Sequence, residues 1–385
     1  MDAEGVQVTD SFDVAIAGSG IIGLGAAYAA VRRGLRAVVI ERSGEPVGAS
    51  IRNFGHLCIG AQSGTARRYA DAARPIWLEL ARDAGFWLRE SGTLVVARHV
   101  DELDVLRAAA ASGELTVLER AEIDERLTLA PGVALGGAWI APDLQTDPRA
   151  ALPAIRAFLA ARGVRFLSRT AVTGVRSGAV TTTRGEVFAG QVVVAVNHDI
   201  DQLLPGLAEQ AGIVRCGLDM LRVRLSSPVA LPAPVLTGWS MLRYGRFAGL
   251  PGIAAVRERL HAERPDLAAL DLNQMYTQLP DGTLLVGDTH ERGVTVTPFQ
   301  SERGAEALLA ESSAFWGSPA RVIERWQGVY ASAPDDFLVA SVDDGVLALA
   351  ATTGIGMTTG LGLAEIELGA RWGAAPANGP VEGAS

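Results

Sequence analysis

The sequence predicts an α/β chain in which a domain built on a parallel sheet is interleaved with a second, strand-rich domain. Three observations predict this. A short apolar run, Val14-Ala15-Ile16-Ala17, leads straight into a glycine cluster and a helical segment. The same strand–helix patterning returns in the middle of the chain and again near its end. The stretches between, 86–145 and 213–325, are strand-rich with long gaps. A length of 385 residues fits two or three folding units at about 150 residues each. With 49% hydrophobic and 20% charged residues there is ample apolar surface for a core, which excludes disorder except at the ends. The parallel domain is expected over 8–85, 146–212 and 326–373, and the second over 86–145 and 213–325.

The elements follow in order. After a loose leader at 1–11, a buried strand over 13–17 feeds a helix over 20–33, which Gly34 stops, and a second strand over 37–40 ends at Glu41. Apolar residues at helical spacing, among them Trp77, Leu80 and Trp87, predict a helix over 67–91. A strand at 93–97 and two helical stretches within 101–130 come next. The parallel pattern resumes with a helix at 148–162, strands at 164–168 and 171–175, a hairpin at 180–187 and a strand at 191–196. Strands are expected at 221–225, 238–243, 274–278 and 284–287, with a loop at Leu231-Pro232-Ala233-Pro234. A helix at 301–316, strands at 325–330 and 346–350, and a helix at 359–372 complete the fold. The Gly-, Ala- and Pro-rich tail, 374–385, is expected to be disordered.

Charge and composition remove several functions. The net charge is −9, with no basic stripe of the kind that binds nucleic acid. All 34 basic residues are Arg; the chain has no Lys, so neither a Schiff-base lysine nor a P-loop lysine is available. Cys58 and Cys216 are too few for a disulfide framework or a metal knuckle, and they fit a reducing, cytoplasmic setting with no metal site. The run 12–31 has the length of a membrane span, but its glycine cluster and its acidic N-terminal flank favour a soluble strand–turn–helix.

The pattern Gly18-Ser19-Gly20-Ile21-Ile22-Gly23 fits the dinucleotide fingerprint of a Rossmann-like unit. Gly18 permits the tight turn, Gly20 lets a pyrophosphate touch the backbone, and Gly23 lets helix and strand pack closely. The helix N-terminus, with Ile22 in its first turn, offers N–H groups to the phosphates. Glu41 ends the next strand 18 residues beyond Gly23, where a carboxylate accepts bonds from ribose hydroxyls and repels a 2′-phosphate. The ligand is therefore FAD or NAD, and not NADP. A second glycine cluster, Thr353-Gly354-Ile355-Gly356-Met357-Thr358, opens the last helix.

Three stretches carry a resemblance: Ser50-Ile51-Arg52-Asn53-Phe54-Gly55, Arg325-Trp326-Gln327-Gly328-Val329-Tyr330-Ala331, and Gly356-Met357-Thr358 with Gly362-Leu363-Ala364-Glu365. Together they resemble the D-amino-acid-oxidase-like flavoproteins of the glycine and sarcosine oxidase group, over nearly the whole chain. Leu242-Arg243-Tyr244 and Val286-Gly287-Asp288-Thr289-His290-Glu291 are similar to a bacterial subfamily associated with aminophosphonate breakdown. The chain departs from that subfamily at Gly217 and Ser332, where its members carry Lys.

The resemblance implies FAD as cofactor and hydride transfer from the carbon beside an amine nitrogen to the flavin, with no dedicated acid or base. Oxygen or another acceptor would reoxidise the flavin. The C-terminal turn would lie against the flavin pyrimidine ring. FAD would be non-covalent, because the attachment Cys of sarcosine oxidases is absent. The residues implied at the cofactor are Gly18, Gly20, Ile22, Gly23, Glu41, Arg42, Ser50, Asn53, Phe54, Gly55, Val172, Gly354, Gly356, Met357 and Thr358. At the substrate they are Arg243, Tyr244, His290, Trp326, Tyr330 and His56. Tyr330 stands where amino acid oxidases of this group carry an Arg for the substrate carboxylate, and Arg243 is the expected replacement. The expected substrate is a small amine bearing an anionic group. A glycine- or sarcosine-type oxidase, an electron-relay subunit and an NAD-dependent dehydrogenase remain as competing readings.

Overall fold

The computed structural model describes residues 11–373; of the leader expected over 1–11 only Ser11 is described, and it opens the first strand, while residues 1–10 and the tail 374–385 lie outside the described residues. A mixed sheet of 15 strands carries the fold, beside a small sheet of three strands, His56–Leu57, Leu144–Thr146 and Leu88–Arg89. At one end, Val346–Thr353, Gly185–Val194, Ser11–Ala17, Ala37–Ile40 and Arg165–Leu167 lie side by side in parallel. Alternate residues of the first strand face opposite cores: Val14 and Ile16 pack under one layer, Ala15 under the other. A strand buried on both faces reads as an unbroken apolar run, which is why it imitates a membrane segment. No helix among the described residues is long and apolar enough to cross a membrane.

The other end is antiparallel. Val214–Leu225, Leu284–Gly293 and Met275–Gln278 pair in turn, and a parallel link from Val235–Leu236 to Thr93–Ala97 extends the sheet to Gly136–Ile140 and Leu115–Glu119. One long strand, Ala320–Asp343, joins the two ends. Its first half pairs with Val214–Leu225 and its second half with Val346–Thr353. The antiparallel end has a hydrophobic core of its own, around Tyr276, Phe315 and Phe247.

Several elements differ from expectation, each for a local reason. The helix expected over 67–91 is Gly64–Ala84, because Gly85 adopts φ 73° and ends it; Leu88–Arg89 is then a strand. The hairpin and the strand at 191–196 merge, since Gly185–Val194 serves both. Leu115–Glu119 lies as a strand between the two helices of 101–130, and the helix Ile253–Glu263 falls in a stretch read as a gap. The segment 238–243 is not a strand. Gly238–Met241 forms a helical turn in which Trp239, Ser240 and Met241 are all buried, so no alternation exists to define a strand face. The hydroxyls of Thr237 and Ser240 both donate to the Gln274 carbonyl, at 2.9 and 2.7 Å, and hold that turn in place.

Candidate functional site

The first glycine turn is shaped by close backbone approach. Gly18 has φ +99°, and a Cβ there would lie 2.5 Å from the Ala195 carbonyl oxygen. A Cβ on Gly23 would lie 2.0 Å from the Gly18 oxygen, so helix and turn touch directly. Gly20 caps the helix Ile21–Val31 without a side-chain bond, and the first turn has no acidic residue. Among the described residues only Ser50 reaches in, its Oγ accepting from the Ile21 N–H at 3.0 Å. A cavity of about 460 Å³ opens there, lined by Gly18, Gly20, Glu41, Arg42 and Val172 among others. Glu41 accepts from the Ser19 N–H and hydroxyl at 3.0 and 2.7 Å and from the Ser43 N–H at 2.8 Å, which fixes its carboxylate at the end of the strand. Arg42 is paired with Asp199 at 2.8 Å. Helix-end donors, a fixed carboxylate and apolar walls from Pro46, Val47, Leu152 and Leu203 suit the phosphate, ribose and base of a dinucleotide.

A second cavity of about 450 Å³ shares Gly20, Ala49, Ser50, Ala195 and Asn197 with the first, so the two adjoin. It lies between the C-terminal glycine turn and the antiparallel part of the sheet. Ile22, Asn53, Phe54, Gly354, Gly356 and Met357 line it, together with Arg243, Tyr244, His290 and Tyr330. The helix Gly356–Trp372 begins here with no capping side chain, and the Trp77 indole N–H donates to the Met357 carbonyl at 3.1 Å. The two cavities together run from the first glycine turn to the C-terminal one.

The inner wall is charged. Asp271, at φ 47°, places its carboxylate between two guanidiniums: Arg243 at 2.6 Å and Arg292 at 2.5 Å. Its backbone carbonyl also accepts from Arg243 and, at 2.9 Å, from His290 Nδ1. Beside it, Asn273 Nδ2 donates to Asp288 Oδ1 at 2.9 Å, and His290 Nε2 lies 3.4 Å from Asp288 Oδ2. Burial lowers the His290 pKa and keeps the ring neutral, although Asp288 pulls the other way. Burial raises the Tyr244 and Tyr330 hydroxyls, with neighbouring Cys58 and Cys216 adding to it, so both stay protonated donors.

Some expected residues lie elsewhere. His56 is buried in a chain of bonds, its Nε2 2.7 Å from Thr93 Oγ1, which donates to Asp143 at 2.6 Å. Trp326 lies under the Arg149 guanidinium at 4.7 Å, in a shallow outer pocket; four residues along a strand put it about 13 Å from Tyr330. Thr358 turns away, its Oγ accepting from the Cys58 N–H at 3.1 Å. Gly23 and Gly55 act through backbone packing and line neither cavity. Arg243, expected at a strand end, instead follows a helical turn, and it is ion-paired. Sequence reasoning missed Arg292, Asp288, Asn273 and Asn197. Two of these had a signal: in a strand, residues two apart share a face, so His290 implies Asp288 and Arg292.

A sheet with a glycine-rich strand–turn–helix at one end and a second glycine turn facing a cavity lined by Arg243, Asp288, His290 and Arg292 defines a flavin-type oxidoreductase fold. The chain belongs to the FAD dependent oxidoreductase (DAO) family, which it matches over residues 13–367. It is an enzyme, and its cofactor is FAD. Glycine oxidase from Geobacillus kaustophilus has the same fold, with a TM-score of 0.73 and 21% identity over 94% of this chain and 95% of that one. L-proline dehydrogenase from P. horikoshii superimposes with a TM-score of 0.76 at 16% identity, over 94% and 93% of the two chains. In sequence the chain is 25% identical over 247 residues to an opine oxidase subunit of Rhizobium meliloti; the match spans 57% of this chain and 65% of that protein.

Proposed function

We propose that the chain oxidises the C–N bond of a small primary or N-methylated amine carrying an anionic group, a carboxylate or a phosphonate. The observation that carries this reading is the pair of guanidiniums, Arg243 and Arg292, on the wall of the inner cavity with one carboxylate, Asp271, between them. Two cations against one anion leave positive charge and N–H donors for the substrate's anionic end. The protonated Tyr330 hydroxyl adds a neutral donor where amino acid oxidases of the resembling group place an Arg. Asp288, on the same wall, gives the ammonium end a carboxylate, so the cavity suits a zwitterion.

When bound, FAD supplies a hydride acceptor. The protein's part is to hold the anionic end, set the amine carbon beside the flavin and exclude water with Leu218, Met220 and Met275. The oxidised substrate is an imine that water hydrolyses to a carbonyl product. The test is anaerobic mixing of the FAD-loaded protein with amines while flavin absorbance is followed. Glycine, sarcosine and 2-aminoethylphosphonate separate carboxylate from phosphonate, and ethylamine lacks the anion. Equal bleaching by ethylamine would remove the anionic requirement. A second reading, an FAD-binding chain working with a partner chain, is supported by the likeness to the opine oxidase subunit. Bleaching of the isolated chain by any of these amines removes it.

A further inference from the structure

The inner cavity contains an arrangement that the hydride-transfer scheme does not use. His290 Nδ1 lies 2.9 Å from the Asp271 carbonyl oxygen. A carbonyl can only accept, so Nδ1 carries the hydrogen and, in the neutral ring, Nε2 presents a bare lone pair. That lone pair faces Asp288 Oδ2 at 3.4 Å, which when ionised is also only an acceptor. Two acceptors thus face each other with room for one proton. A third acceptor, Asn273 Oδ1, is buried without a hydrogen-bond partner while its Nδ2 is held by Asp288. All three residues line the cavity.

We propose that Asp288 and His290 form a proton-accepting dyad that takes an N–H proton from the substrate's ammonium group, with Asn273 Oδ1 accepting a second N–H. The inference rests on the amine reading above and adds a base to it. In the step an N–H bond of the ammonium breaks and an O–H or N–H bond forms on the dyad. The nitrogen keeps the electron pair, which then assists loss of hydride from the neighbouring carbon to FAD. The dyad later releases its proton to solvent. Burial, which holds His290 neutral, keeps the acceptor ready. The charges facing the dyad are Arg243 and Asp271 from the segments after Gly238–Met241 and before Met275–Gln278, and Arg292 on its own strand. Cys216 on the adjoining strand and Tyr330 on the strand beyond it, together with Tyr244 and Cys58, are neutral, their pKa values all raised by burial. Arg243 and Arg292 share Asp271, so the surroundings do not by themselves supply the missing proton.

Two measurements on the FAD-loaded protein test this. Nitrogen NMR of ¹⁵N-histidine-labelled protein, with His290 assigned from the difference with H290Q, should show Nδ1 protonated and Nε2 bare at pH 7.5. A bare Nδ1 would overturn the proposal without reference to any substrate. The second is the pH profile of anaerobic flavin reduction by whichever of glycine, sarcosine and 2-aminoethylphosphonate reacts fastest. Asp288→Asn should lower the rate at least tenfold near pH 7 and let it recover toward wild type near pH 10, where the amine is already neutral in solution. An equal fall at every pH would make Asp288 structural and overturn the dyad. If none of these amines reduces the wild-type flavin, the amine reading fails, and the NMR result still decides the dyad.

Discussion

The Tyr330 ring lies against the Gly354 turn: a Cβ at residue 354 would stand 3.1 Å from Tyr330 Cζ and 3.2 Å from its hydroxyl oxygen. The late strand and the C-terminal glycine turn therefore fix each other at the point where both line the inner cavity. Gly354 also holds φ +78°, which an L side chain adopts only with strain.

Gly354→Ala should therefore lose about 1–3 kcal/mol of stability, from backbone strain and the tight contact together. In a Tyr330→Ala background the contact is gone, and Gly354→Ala should then cost only the strain, about 1 kcal/mol. Urea unfolding of the four forms measures the coupling. Additive costs would mean that the ring and the turn do not meet.

Non-covalent FAD is expected, since neither Cys58 nor Cys216 lines either cavity. Acid precipitation should release all of the yellow colour as FAD, and a coloured pellet would contradict this. Glu41→Ala should weaken FAD binding by about 1.5–3 kcal/mol, the range for a hydrogen bond to a charged group. Because Glu41 also holds Ser19 and Ser43, the loss should appear in apoprotein stability as well as in the FAD dissociation constant. An unchanged dissociation constant would take Glu41 away from the ribose.

The nucleotide half was legible in the sequence because its signals are local. Gly18, Gly20 and Gly23 sit within one turn, and Glu41 follows at the next strand end. The inner cavity was only half legible. His290 and Tyr330 were visible as motif residues, but Asp271 and Asn273 come from a turn with no sequence signature, and backbone bonds from the Asn273 N–H to the Asp288 carbonyl and from the His290 N–H to the Leu270 carbonyl place Asp271 against Arg243 and Arg292. Gly238–Met241 was misread because a four-residue buried run shows neither period. Trp326 was misplaced because a motif says nothing of distance along a strand.

Acid should destabilise the protein through its buried histidines. Burial depresses the pKa of both His198 and His290. As pH falls below about 6.5, the usual imidazole value, the unfolded chain binds protons that the folded chain does not. Stability from these groups is thus present above about pH 6.5 and lost as pH falls toward their folded values, by at most about 1.4 kcal/mol per pH unit for each. For His290, Asp288 and Asp271 favour the charged ring and Arg243 opposes it, and burial outweighs the carboxylates. His290→Gln should flatten the slope of unfolding free energy between about pH 6.5 and 5. An unchanged slope would mean that folding does not depress the His290 pKa.

The anionic end of the substrate should be held by Arg243 and Arg292 together, and the two should contribute unequally to binding and to stability. Both bond Asp271, but Arg243 also donates to the Asp271 backbone carbonyl, so its removal disturbs the turn that carries the carboxylate. Truncating a charge-assisted contact in a closed pocket costs about 2–5 kcal/mol, or roughly 30- to several-thousand-fold in binding. Arg243→Ala should therefore weaken saturation of anaerobic flavin reduction within that range. Arg243→Lys should fall between it and wild type, because Lys keeps the charge and loses the planar fork. Arg292→Ala should also weaken saturation, with less loss of stability, since it has a single bond to Asp271. Tyr330→Phe should cost about 0.5–1.5 kcal/mol, the worth of one neutral hydrogen bond. The readout is the substrate concentration giving half-maximal reduction, beside urea unfolding of each variant. If both Arg243→Ala and Arg292→Ala stay within about twofold of wild type, the anion is held elsewhere, and Arg52, which also lines this cavity, is the next guanidinium to remove.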